Sequence, residues 1–130
     1  GAVRAVQPDA VIAIDALASR SLARLCTSVQ LSDTGIVPGS GVGNHRCPLS
    51  RDTLGVPVYA IGVPTVIDIK TILRDALEEN LDSAEAVEKY LSDYDRQMIV
   101  TSTDIDILVK DFSDIIADGI NKTLHPGIYS

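Results

Sequence analysis

The sequence predicts one α/β domain over residues 1–130, and three observations carry that prediction. Apolar, β-favouring runs are interspersed with segments whose apolar residues recur every three or four positions. The run Ala10-Val11-Ile12-Ala13-Ile14 is unbroken rather than alternating, the pattern of a strand covered on both faces between helix layers. No internal repeat, linker or low-complexity block divides the chain. A chain of 130 residues, 45% of them hydrophobic, is long enough to remove roughly two-thirds of its unfolded surface from water.

The elements follow in order. The chain opens on Gly1-Ala2 rather than Met, and Val3-Arg4-Ala5-Val6-Gln7 reads as the last turn of a helix stopped by Pro8-Asp9. Such an opening is expected of a fragment of a longer protein. The first strand covers residues 10–14 and stops at Asp15, after which Ser19 caps a short helix through Leu25. Residues 27–31 alternate at period two, as a strand with one wet face does. From Ser32 to Gly55 periodicity is lost among five glycines, and an unstructured stretch of that length in a compact domain is usually functional or disordered.

Residues 56–61 resume a buried strand, and Gly62-Val63-Pro64 separates it from the run Thr65-Val66-Ile67-Asp68-Ile69. That run leads into an amphipathic helix holding Ile72, Leu73, Ala76 and Leu77. Asp82-Ser83-Ala84-Glu85 offers a capped start for a helix through Leu91. Residues 97–100 form a short extended entry. The strongest helix pattern comes last: Ile105, Leu108, Val109, Phe112, Ile115, Ile116, Ile120 and Leu124 share one stripe. Thr101, Ser102 or Thr103 caps its start and Pro126-Gly127 stops it.

Charge and composition exclude several classes. Eleven Lys and Arg stand against 18 Asp and Glu, a net charge of −7 without any basic cluster, so phosphate neutralisation cannot drive binding to nucleic acid. No apolar run reaches the roughly 18–20 residues that cross a bilayer, and no secretory signal pattern is present. A soluble cytoplasmic chain with neither nucleic acid nor membrane as partner is expected. Cys26 and Cys47 are too few for a disulfide framework and lack metal-ligand spacing, so reduced thiols, no metal and no cofactor are expected.

Several residues are candidates for chemistry. Asp15 ends the most apolar strand, and in open α/β sheets ligands bind outside the carboxyl ends of strands; an Asp capping the next helix is the competing role. Asp33-Thr34-Gly35 matches the active-site triplet of pepsin-like and retroviral aspartic proteases, but the helical pattern of the chain contradicts their all-β folds, and a turn explains the triplet. Gly39-Ser40-Gly41-Val42-Gly43-Asn44 lacks the Lys-Ser/Thr of a phosphate loop, and suits instead a backbone lying close to a ligand or extended peptide. His45 and His125 lie too far apart in sequence to suggest a shared metal. Asp68 follows a strand as Asp15 does and is a second acid candidate or a helix cap.

Three long segments together resemble one family. They are Pro8-Asp9-Ala10-Val11-Ile12-Ala13-Ile14-Asp15-Ala16-Leu17-Ala18-Ser19-Arg20, the stretch from Gln30 through Asn44, and Thr53-Leu54-Gly55-Val56-Pro57-Val58 continuing to Ile67-Asp68. They resemble the germination protease of spore-forming bacteria, and Met98-Ile99-Val100-Thr101 and Ile116-Ala117-Asp118-Gly119-Ile120-Asn121 resemble its C-terminal segment. The chain departs from that pattern at Val37, where a basic residue such as His is expected, and between Arg74 and Asp95, where it is shorter.

The resemblance implies a three-layer αβα sandwich related to the hydrogenase-maturation endopeptidases, here as a C-terminal piece lacking the N-terminal strands. It implies a hydrolase made as a zymogen, assembled as a tetramer, and degrading small acid-soluble spore proteins in the spore core during germination. The mechanism implied is an atypical aspartic type with two essential carboxylates, one of which carries over to Asp15; the other belongs to an N-terminal segment. Asp33, Thr34, Ser40, Asn44 and Asp68 are then candidates for the substrate cleft. Two alternatives stay open: a metal-dependent maturation endopeptidase with Asp15 as a nickel ligand, and a non-catalytic domain that holds substrate or oligomer.

Overall fold

A computed structural model describes residues 1–39, 46–78, 84–93 and 96–129. Among these residues the chain is mixed α/β, with four strands and six helices. The sheet runs β1 (Val11–Ala18), β3 (Val58–Asp68), β2 (Gln30–Ser32), and β4 (Ile99–Val100) also pairs with β3. β1 and β3 are parallel, whereas β2 and β4 lie antiparallel to β3.

The helix turn expected at the start is α1 (Ala2–Val6), closed by Gln7 in the left-handed region. Two sequence expectations about the first strand are corrected. It does not stop at Asp15 but continues to Ala18, because Ala16 and Leu17 stay in register with β3 and Ala18, past a one-residue shift, pairs with Val66. Nor is it covered on both faces: Ile12 is 43% and Ile14 57% exposed. The strand with the unbroken apolar pattern lies at an edge of the described sheet, and the more deeply buried strand is β3, although its Tyr59 is 50% exposed.

β3 is one strand of 11 residues where the sequence suggested two. Val58, Ala60, Val63, Pro64 and Ile67 are buried along it and, with Leu91, make the core. Gly62 and Pro64 read as a break, yet each is accommodated. Pro64 sits beside the register irregularity of the β1 pairing, and its carbonyl accepts the Cys26 N–H at 2.6 Å between the short β2 and β4 pairings. Gly62 faces the Leu17 side chain so closely that a Cβ there would overlap it.

The helix expected over residues 19–25 is reduced to a 3-10 turn at Leu22–Arg24. Ser19 is buried, donates to the Ser21 carbonyl at 2.6 Å and accepts the Ser21 N–H at 3.3 Å. The glycine-rich stretch is not structureless at its base, since Ile36 and Leu49 exchange two backbone hydrogen bonds of 2.9 and 2.8 Å. Gly35, at φ 94°, is pressed against Ser50, 2.9 Å from where its Cβ would lie, so the turn there requires glycine. The short α2 (Arg51–Leu54) follows behind a reciprocal Ser50–Thr53 capping box.

α3 (Ile69–Glu78) starts where the Asp68 carboxylate accepts the Lys70 N–H at 2.7 Å. α4 (Ala84–Ser92) buries Leu91 and is joined to α3 by an Arg74–Glu88 pair at 2.8 Å. That pair is exposed and contributes at most about 1 kcal/mol. The long α5 (Ile105–Leu124) matches the expected stripe, and one further turn, α6 (Pro126–Tyr129), follows it. Of the three expected caps only Ser102 contributes, its hydroxyl accepting the Asp104 N–H at 3.3 Å and its carbonyl the Ile105 N–H at 3.2 Å; Asp104 occupies the cap position without a side-chain bond, and the Thr101 hydroxyl donates to the Thr65 carbonyl at 2.6 Å.

Candidate functional site

Asp15 takes its position from strand geometry. It pairs directly with Gly62 in the parallel register. The Val11 N–H donates to the Pro57 carbonyl, so the odd-numbered residues of β1 turn their backbone groups toward β3 and the even-numbered ones turn them outward. Ala16 is therefore among the outward-facing residues. Its N–H donates to the Asp15 carboxylate at 2.9 Å, which holds that carboxylate at the outer edge of β1. Among the described residues no strand pairs along that edge.

Asp15 also borders a cavity of about 230 Å³ between the sheet and α5, together with Thr65, Phe112, Ser113 and Ile116. A second, larger groove of about 700 Å³ lies further along the same helix. Leu31, Asp33 and Tyr59 line it on the sheet side, and Ile120 and Leu124 on the helix side. Its walls are mostly apolar.

The other sequence candidates are not gathered around Asp15. Asp33 follows β2, whose Ser32 pairs with Ala60, so it lies two strands across and three residues along from Asp15. That places the two residues roughly 14 Å apart, far beyond the contact a shared proton needs. Thr34 shares a 2.8 Å hydrogen bond with Ser32 and closes the turn after β2. Asp68 caps α3. Ser40, Asn44 and His45 lie outside the described residues, and His125 flanks the end of α5. No group of three His, Cys, Asp or Glu residues among the described ones is arranged to hold a metal ion.

Sequence reasoning missed Ser113 and Thr65 at the smaller cavity, and Leu17 and Gly62 beside Asp15. A glycine inside a β-branched run was the available signal, because such a glycine often marks close approach of another chain segment.

The two thiols differ. Cys26, at φ 54°, is partly buried with its Sγ 3.8 Å from the Thr65 carbonyl, and burial pushes its thiol pKa up; Cys47 is exposed. Since the thiolate is the reacting form, native protein at pH 8 is expected to show one fast thiol, Cys47, and one slow thiol, Cys26, with an aromatic disulfide reagent. Equal rates would contradict this placement.

A family model described as germination protease matches residues 1–83. The chain belongs to the germination protease family. The germination protease of Caldanaerobacter subterraneus subsp. tengcongensis is 45% identical over 151 aligned positions, covering 98% of this chain and 47% of that protein. That of Clostridium perfringens strain SM101 is 40% identical, covering 97% and 46%, and that of Halalkalibacterium halodurans 32%, covering 98% and 49%. The chain thus spans about half the length of the curated germination proteases it matches. The 151 positions exceed its 130 residues, so these relatives carry residues it lacks within the aligned region. Asp15, Gly62 and Asp68 all fall inside the part matched by the family model. No helix among the described residues is long and apolar enough to cross a membrane.

Proposed function

We propose that the full-length protein is an endopeptidase that degrades small acid-soluble spore proteins in the spore core when a spore germinates, with Asp15 as one of two catalytic carboxylates. The observation that carries this reading, beside family membership, is the carboxylate of Asp15 held at the open edge of β1. A strand laid along that edge would bring a second carboxylate within reach. Of such a pair, one carboxylate removes a proton from the attacking water while the other, protonated, stabilises the developing oxyanion and supplies a proton to the departing amine. Asp33, Thr34, Ser40 and Asn44 belong to the segment that would border the bound peptide, and Asp68 orders α3 at the far end of β3.

The second carboxylate is assigned to an N-terminal half, which completes a three-layer αβα sandwich over what is here a C-terminal piece of one domain. Synthesis as a zymogen and assembly as a tetramer belong to the same proposal.

The test is Asp15→Asn in the full-length protein, an isosteric change that removes the charge. Cleavage of a purified small acid-soluble spore protein is expected to fall by roughly 10²–10⁴-fold, the usual contribution of a positioned acid or base. A near wild-type rate would remove Asp15 from the mechanism.

A further inference from the structure

The pairing of Asp15 with Gly62 places a residue without a side chain directly opposite the acid. Residues paired across parallel strands point to the same face, as do residues two apart on one strand, so Asp15, Leu17 and the missing Cβ of Gly62 share one face of the sheet. The Leu17 side chain lies over Gly62: a Cβ built there would come 2.7 Å from Leu17 Cγ and overlap its nearer methyl group. Leu17 leans back across the strand pair into the space beside Asp15 on the β3 side. The carboxylate is left with the opposite direction, outward, where the Ala16 N–H holds it at 2.9 Å.

We infer that Gly62 and Leu17 are positioning residues for Asp15: the glycine admits the leucine, and the leucine walls off the inner side of the acid so that its carboxylate is aimed at the outer edge of β1. This rests on the reading of Asp15 as catalytic and adds to it the device that sets its direction. The leucine contributes no hydrogen bond. Its effect is exclusion, since an aspartate without that wall has a second staggered orientation open to it over the bare glycine backbone. Aim matters because a displacement of about 1 Å in a reacting group costs up to about 10²-fold in rate.

The experiment uses the full-length protein with a small acid-soluble spore protein as substrate, and compares Leu17→Ala, Gly62→Ala, the double variant and Asp15→Asn. Leu17→Ala removes the wall without a clash and is expected to lower kcat at least fivefold with KM within twofold of wild type. Gly62→Ala displaces the leucine and is expected to act in the same direction. The double variant should lose less than the product of the two single losses, because both substitutions disturb one arrangement. Melting temperatures measured in parallel separate this from a loss of folded protein. If Gly62→Ala does not fold, Leu17→Ala decides alone. Leu17→Ala with kcat within twofold of wild type, while Asp15→Asn is inactive, would overturn this inference and leave the reading of Asp15 standing. Activity in Asp15→Asn would overturn that reading and the inference with it.

Discussion

The isolated 130-residue chain is expected to leave a small acid-soluble spore protein intact under conditions in which the full-length protein digests it. A carboxylate pair works because like charges in contact retain one proton between them, giving a base and an acid at the same pH. Under the two-carboxylate proposal Asp15 alone would supply a base without the acid. The two other acid candidates of the sequence do not pair with it: Asp33 lies roughly 14 Å away by strand geometry. Asp68 is farther along β3, six residues or about 20 Å from the level of Gly62, and is bonded to the Lys70 N–H. The expected loss is at least that of deleting one acid–base group, roughly 10²–10⁴-fold, and disappearance of intact substrate followed by mass spectrometry measures it. Adding a separately produced N-terminal half should restore cleavage. Turnover by the 130-residue chain at a rate comparable to the full-length protein would refute the two-carboxylate account.

How much of this was legible in the sequence differs between elements, for reasons that are physical. α5 was legible as a helix because 20 residues repeat the apolar period many times; its cap was not, and Val109, Ile115 and Leu124 of the expected stripe are exposed. Both apolar strands were legible as strands, and β3 as a buried one, but the burial expected of β1 was not found. Ile12 and Ile14 look as core-forming as Val58 and Ile67, and only pairing decides which strand has neighbours on both sides. Gly62 and Pro64 hid the continuity of β3, since the steric fit of the first to Leu17 and the carbonyl bond of the second to Cys26 are long-range contacts. The strand-end reason for choosing Asp15 needs amending. It does not follow the strand; it lies within it, with its carboxylate held at the outer edge of β1, along which no described strand pairs. The resemblance of residues 8–20 to one family singled Asp15 out where strand position alone left a helix cap equally open, and the match of the family model to residues 1–83 includes that segment.

Truncating Ile67 to alanine is expected to have the largest effect on stability of any conservative change in the sheet, and comparison with Ile14→Ala shows why. Both are isoleucines on parallel strands and have the same intrinsic hydrophobicity. Ile67 is 0% exposed, pairs with Val100 of β4 and lies on the strand that touches all the others; Ile14 is 57% exposed on the edge strand. Loss of buried methyl groups together with the cavity left behind costs about 2–5 kcal/mol, a large part of the roughly 5–15 kcal/mol that stabilises an ordinary domain. The part-exposed Ile14 leaves little cavity, and its truncation in the 130-residue chain should cost less than about 1 kcal/mol. Urea unfolding of the two variants, with unchanged slopes and shifted midpoints, measures the difference. Equal costs would mean that β1 and β3 are equally buried and that the edge assignment is wrong. The same pair distinguishes the chain from the full-length protein. If an N-terminal half covers β1, the cost of Ile14→Ala rises there toward that of Ile67→Ala, while the cost of Ile67→Ala stays as it was.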